Sequence, residues 1–444
     1  MIFIGIALIA IFLYFQNYKI LALLLFFFFV TSGFNLVPEE ITKFLFISKG
    51  SDFALLILFG ILAIEGLFNR GYFNRDNFTK YLFLFASFLI ICIFYSKFIL
   101  RLGLGEILRT CRYQFFWVAY FVFRHTEKEI LKMLLKCLFF VSLFTAFIFL
   151  LQIVVDKEIL LEKGVGFFYL FGIKLTRFYN QPEMMFFFTF MALYHNPLKG
   201  TPKYLSIILF TMALLGAFHR SLVGCFLISI VVGYAIALPR LKRIYFVTIS
   251  SVFLLFIVVF WGYKFIHSRT YSDIEAVVSG DVMNTEFEIE DMEATFTFRM
   301  LHLLERNQYL LENPVAMFLG AGLIPEDSKM VDKMFDFKVG LLEELTGAKV
   351  QLETSDISYS ILILRLGYLG TFLYLLLLFY LMFFFYKKRE NRYAFFSFLY
   401  LILAIGVSFF SANLLFPTTF LLPLISYHIV IKTDDETIQM KTDV

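Results

Sequence analysis

Apolar runs long enough to cross a bilayer recur along almost the whole chain, and they constrain its fold more than any other feature. A helix needs about 20 predominantly apolar residues to span a hydrocarbon core of ~30 Å. Such runs fall near residues 2–16, 20–37, 53–68, 81–100, 110–123, 134–155, 183–194, 204–218, 221–238, 244–263, 357–386, 393–412 and 418–431. They do not alternate as barrel strands would, and a helix satisfies its own backbone polar groups in lipid. The sequence therefore predicts an all-α fold, a polytopic transmembrane helical bundle of about 12–13 spans. Composition agrees: 60% of the 444 residues are hydrophobic and 17% are charged, against about 45–50% and 25% in soluble domains. A soluble globular protein is excluded.

The first two runs are separated only by Asn17, Tyr18 and Lys19, so residues 2–30 also read as one long broken anchor. No positive segment precedes the first run and no small-residue cleavage site follows it, which argues against a cleaved signal peptide. Lys and Arg in short loops mark the cytoplasmic side. Arg70, Arg75 and Lys80 form one such cluster, and Arg124, Lys128 and Lys132 a second. Lys199 with Lys203, then Arg240, Lys242 and Arg243, then Lys387, Lys388, Arg389 and Arg392 fall on the same side, and the tail from Lys432 joins them. An odd span count then leaves the N-terminus outside.

One polar segment, residues 264–355, interrupts the pattern on the external side. It carries 17 Asp and Glu against 8 Lys and Arg, a net −9, and the rest of the chain nets +13. The formal +4 thus hides a basic membrane body under an acidic external loop. Within the loop, Leu301–Leu311 reads as an amphipathic helix that Asn313-Pro314 ends. The resulting division is residues 1–263 as N-terminal transmembrane helices, 264–355 as the loop, 356–431 as C-terminal transmembrane helices and 432–444 as a cytoplasmic tail. A loop of this length is more often functional than idle.

Motifs for common chemistries are missing. Cys92, Cys111, Cys137 and Cys225 all lie in or beside apolar spans, with no CxxC or Cys/His cluster, so neither a disulfide framework nor a metal site is indicated. There is no HExxH, GxGxxG or Walker-type loop. No cofactor, metal or nucleic-acid partner is expected. The candidates for chemistry are external cations at span ends: Lys97, Arg101, Arg109 and Arg112, then Lys174 and Arg177, then Arg220 in the His219-Arg220-Ser221 turn, then Arg299. Charges near lipid are costly unless paired or lining a wet cavity, and several Arg forks together suit a phosphate or carboxylate. Lys97, Arg109 and Arg112 also fit simple snorkelling to headgroups. His302, three residues after Arg299 on the same helix face, is an acid/base candidate. Glu65 reads equally as a proton carrier or a paired structural carboxylate, and the acidic run Glu286–Glu293 as a solvated face.

Four stretches, in this order and on this side, carry a resemblance. RFYNQPEMMFFF at 177–188 places an Arg shortly ahead of a Pro at the start of a span, and HRSLVG at 219–224 is a short Arg/Ser turn. FRMLHLLERNQYLLENPVAMFLGAGL at 298–323 is an Arg-led helix followed by Asn-Pro and Gly-x-Gly, and DISYSILILRLGYLG at 356–370 runs into Gly-x-x-Gly and contains Arg365. The chain resembles the O-antigen ligase and Wzy-type O-antigen (capsule, exopolysaccharide) polymerase family. The resemblance implies a GT-C-like fold with a periplasmic loop in a bacterial inner membrane, and glycosyl transfer between undecaprenyl-diphosphate-linked repeat units.

Arg220 and Arg299, with Asp356, are then the catalytic candidates, and Arg177, Arg101, His302 and Arg365 the substrate-binding ones. Partners implied are the lipid-linked donor and acceptor, membrane lipid and a chain-length regulator protein. Ligases of the family place a His where this chain has Asp356, which favours polymerase over ligase. Asp356 reads equally as a base or as a helix N-cap. The rival classes are a lipid-linked-glycan flippase and a metal-using lipid-dependent glycosyltransferase, for which Glu39-Glu40 is a faint signal.

Overall fold

The computed structural model describes residues 2–38, 41, 49–161, 164–170, 173–238, 242, 295–326, 328, 330–334 and 357–442. The expected span 244–263, the pair Glu39-Glu40, the run Glu286–Glu293 and Asp356 lie outside these residues. The described chain is mostly helical. It runs α1 (Ile2–Phe15), α2 (Lys19–Val30), α3 (Gly50–Phe68) and α4 (Asn77–Phe94), the last continued by a π-helical turn, Tyr95–Ile99. Next come α5 (Leu104–Cys111), a 3-10 segment (Arg112–Val118), α6 (Ala119–His125) and α7 (Lys128–Val155). A hairpin of β1 (Val165–Leu170) and β2 (Ile173–Phe178) precedes α8 (Met185–Tyr194), α9 (Thr201–Gly216) and α10 (Arg220–Ala237). The described part of the long loop holds α11 (Thr295–Glu312) and α12 (Pro314–Leu319); α13 (Ser358–Lys387), α14 (Arg392–Val407) and α15 (Thr418–Thr442) follow.

Among the described residues, four helical segments are long and apolar enough to cross a membrane: Gly50–Phe68, Asn77–Ile99, Lys128–Val155 and Ser358–Lys387. The runs at α1, α2, α8, α9, α10 and α14 fold as shorter apolar helices, the run 418–431 lies in the 25-residue α15, and α1 and α2 are separate rather than one broken anchor. The expected span at 110–123 instead folds as a helix, a 3-10 segment and a second helix. The hairpin departs from the all-α expectation. β1 and β2 pair antiparallel, from Val165↔Phe178 to Leu170↔Ile173. Each strand is six residues, rich in the aromatic and β-branched types that favour strands but too short for a clear period to appear in sequence.

Charge cross-links one end of the bundle. Lys19 pairs with Glu127 at 2.8 Å, Arg124 with Asp76 at 3.4 Å, Lys388 with Asp434 at 2.9 Å, and Lys128 with Glu436. Lys432 donates to the Arg124 carbonyl at 2.8 Å. The basic clusters of several loops and the C-terminal helix therefore meet at this end. Asp76 also caps α4, accepting from the Thr79 amide at 2.8 Å, a bond of the kind that satisfies an orphan amide in a first turn. Glu65, in the last turn of α3, accepts from Asn69 just beyond the helix.

At the other end, the loop segment is bolted to the bundle by glycines. The Gly320–Gly322 turn, with both glycines at positive φ, lies on α13 where Gly367 (φ 65) breaks the helix. The Ala321 amide donates to the Leu364 carbonyl at 2.7 Å, and the Leu323 amide to Ser96 Oγ at 2.9 Å. A Cβ at Gly367 would sit 2.5 Å from the Phe318 carbonyl oxygen, so only glycine permits this approach. Gly367→Ala should cost about 1–3 kcal/mol for the backbone conformation and a similar amount for the overlap. The measurement is the thermal unfolding midpoint in detergent, with Gly5→Ala as control, because a Cβ there meets nothing within 4 Å. An unchanged midpoint for Gly367→Ala would show that this contact is not tight.

Candidate functional site

A cavity of about 450 Å³ opens at the end of the bundle away from the charge cross-links. The β2 exit and start of α8 contribute Arg177, Tyr179, Gln181, Glu183 and Phe186; the start of α10 contributes His219 and Leu222. Arg299 reaches in from α11, and the last turns of α14 with the segment from Phe410 to Thr419 supply the rest of the described wall. Two of the arginines singled out in sequence thus share one space, although 177 and 299 belong to different segments of the chain.

Local chemistry explains why each element arrives there. The exit from β2 is fixed by Asn180, which is buried. Gln152 of α7 donates to Asn180 Oδ1 at 2.6 Å and accepts from the Ile159 and Leu160 amides at 3.3 Å, while Asn180 donates back to Gln152 at 3.3 Å. This amide pair clamps the end of α7 to the residues just after Arg177. The Arg177 guanidinium lies 4.9 Å from the Tyr179 ring centroid, a cation–π distance that orients the fork. Glu183 accepts from Thr418 Oγ1 at 3.1 Å, tying α8 to the first residue of α15.

His219 caps α10. Its Nδ1 accepts from the Leu222 amide at 3.4 Å and lies 2.7 Å from Ser221 Oγ. An accepting Nδ1 in a neutral ring leaves the proton on Nε2, so this side chain can also donate. Arg220 is the first residue of α10, beside His219; its side chain lies outside the described residues. The Ser358 amide and hydroxyl bond the Ser411 carbonyl at 3.2 and 2.7 Å, so the start of α13 is pinned to a cavity wall.

The other sequence candidates are placed elsewhere. Arg101 is exposed, at positive φ, in the loop after the π-helical turn. Arg365 lies on α13 beside the glycine turn, 3.5 Å from the Ile324 carbonyl that it donates to. His302 is buried and its Nδ1 lies 2.6 Å from Ser360 Oγ of α13, so it ties α11 to the bundle instead of facing the cavity. One turn on, the buried Arg306 is ion-paired with Glu305. Burial pushes its pKa down to about 10, against the pull of Glu305 and Glu326, so it stays charged at neutral pH. Arg112, which fits snorkelling in sequence, is instead buried and paired with Asp52 at 3.1 Å. Asp52 in turn caps α3 through the Lys49 amide at 3.1 Å.

Sequence reasoning passed over Glu183, although it stands six residues after Arg177 in the same quoted stretch. A carboxylate at the threshold of an apolar span was the available signal. A scan against protein-family models finds no match, and a search of curated proteins finds no relative.

The Gln152–Asn180 clamp yields a stability test. Asn180→Leu leaves the buried Gln152 amide without this partner, at an expected cost of about 1–3 kcal/mol. The measurement is a denaturant or thermal midpoint of the purified protein, and a variant as stable as the parent would refute the clamp.

Proposed function

We propose that the chain is a membrane glycosyltransferase that polymerises undecaprenyl-diphosphate-linked repeat units of a surface polysaccharide, and that it belongs with the O-antigen ligase and Wzy-type polymerase family. It acts at the outer face of a bacterial inner membrane. The charge-linked end of the bundle then faces the cytoplasm, and the cavity end and residues 264–355 face the periplasm. The observation that carries this reading is the cavity itself, in which Arg177 and Arg299 converge with His219 and Glu183.

In this reading the donor diphosphate is held by Arg177, Arg220 and Arg299. A hydroxyl oxygen of the acceptor sugar bonds to the donor anomeric carbon. The bond from that carbon to the diphosphate oxygen breaks, and its electron pair leaves with the lipid diphosphate. The hydroxyl proton passes to a carboxylate. Attack opposite the diphosphate inverts the anomeric centre. Diphosphate is a good leaving group, so stabilising the charge that grows on it is the main task, and fixed cations in a partly dry site suit it. For the base, Asp356 is the choice from sequence, while Glu183 is the carboxylate among the cavity's described lining residues. We assign the role to Glu183.

Deleting the gene in its host and resolving the surface glycan on a gel tests the class. Loss of a polymerase leaves single repeat units, loss of a ligase leaves polymer unattached to lipid A core, and loss of a flippase leaves no repeat at the surface. Polymerisation by the purified protein should survive EDTA; abolition would point to the metal-using class. Arg177→Ala, Arg220→Ala and Arg299→Ala should each lower polymer formation by about 10²–10³-fold while the protein still accumulates in membranes. Glu183→Gln should lower it by about 10²–10⁴-fold and Asp356→Asn by much less. The reverse order would move the base to Asp356.

A further inference from the structure

A second cavity, of about 400 Å³, opens at the charge-linked end, between the His195–Gly200 loop, the first turn of α9 and Arg392 at the start of α14. Lys199, Lys203 and Arg392 line it, with His195 and Tyr204, and no carboxylate is among its described lining residues. The loop is built to hold these cations in place. Asn196 donates to the Ala192 and Lys203 carbonyls at 3.1 and 3.3 Å and to Ser206 Oγ at 2.8 Å, and its Oδ1 accepts from the Leu198 amide at 2.9 Å. Gly200, at φ 63, turns the chain into α9. His195 packs on Tyr393 with ring centroids 4.5 Å apart. Burial, then the nearby Arg392 and Lys132, lower its pKa, so at neutral pH it offers a neutral polar contact beside three charges.

An independent feature identifies what the cations would hold. From the rim of this cavity, Tyr204, Leu205, Ile208, Met212 and Leu215 are all exposed. Their spacing places them on one face of α9, so an open apolar stripe leads from the basic pocket along the helix. A small free phosphate would use only the pocket. A phosphate attached to acyl chains would use both.

We propose that this cavity binds the phosphate of an anionic phospholipid, whose chains follow the Tyr204–Leu215 face of α9. Basic pockets between membrane helices on the cytoplasmic side suit such headgroups, and Lys stems can reach along apolar surface to them. The proposal does not depend on the polymerase reading, because its readout is lipid binding and not polymer.

The test uses the purified full-length protein in phosphatidylcholine nanodiscs doped with phosphatidylglycerol, with retained lipid counted by native mass spectrometry. Phosphatidylglycerol should be enriched over phosphatidylcholine. Lys199→Gln with Lys203→Gln should reduce the enrichment by roughly fivefold per charge removed, and Lys199→Arg with Lys203→Arg should preserve it. Soluble glycerol phosphate at matched concentration should not displace the lipid. Equal retention of both lipids, or enrichment unaltered in the double Gln variant, would overturn the site. Displacement by glycerol phosphate would overturn the lipid assignment in favour of a free phosphate.

Discussion

The close approach of two backbones, at Gly320 and Gly367, sets where the described part of the long loop can stand. α11 is amphipathic: it buries Leu310 beside Ile363 of α13 and also turns the polar His302 and Arg306 inward. The glycine turn gives it a rigid footing, because carbonyls and amides of the loop meet those of α13 directly. From that footing the helix climbs at about 1.5 Å per residue, and its inward residues meet different neighbours. Arg306 lies beside the loop carboxylates, His302 meets Ser360, and Arg299 reaches the cavity. Three polar residues on one face thus do three different things, decided by height along the helix rather than by type.

The same logic of position separates the two ends of the bundle. At one end Lys19, Arg124, Lys128 and Lys388 are matched by carboxylates from other segments, so the charges join loops and the C-terminal helix into a unit. Exposed pairs of this kind are individually worth little; their effect is to fix which segments are neighbours. At the other end, Arg112 is spent on Asp52 inside the fold, while Arg177 and Arg299 are turned toward an open space.

What sequence made legible follows from range. An apolar run is a local property with a length threshold, so the helices could be placed before any contact was known. The helix inside the long loop was legible from its amphipathic period and its stop at Asn313-Pro314, although it starts at Thr295, six residues before the expected Leu301. The hairpin was not, because six-residue strands carry too little pattern. Nor was the fate of individual arginines. Arg112 depends on Asp52 sixty positions earlier, and Arg101 and Arg365 are near the cavity in topology but directed elsewhere. Motif order singled out Arg177 and Arg299, and the fold brings these two to one cavity. The packing partners Gln152 and Asn180, which make that neighbourhood, have no motif of their own.

The two cavities make an instructive pair, since both are basic and both lie at bundle ends. The lysine cavity holds cations and a neutral His, without a carboxylate among its described lining residues, so it suits the retention of an anion. The arginine cavity sets Glu183 among Arg177, Arg299 and His219, and backs them with Phe186, Leu222, Leu403 and Val407. A carboxylate near fixed cations can receive a proton while the cations meet growing negative charge, which is the division of labour that transfer from a diphosphate requires. The apolar backing adds selectivity of another kind. In the proposed reading a soluble sugar nucleotide has no use for it, whereas a diphosphate carried on a polyprenyl chain uses both halves of the wall. That match, more than the number of positive charges, is why chemistry is assigned to one cavity and retention to the other.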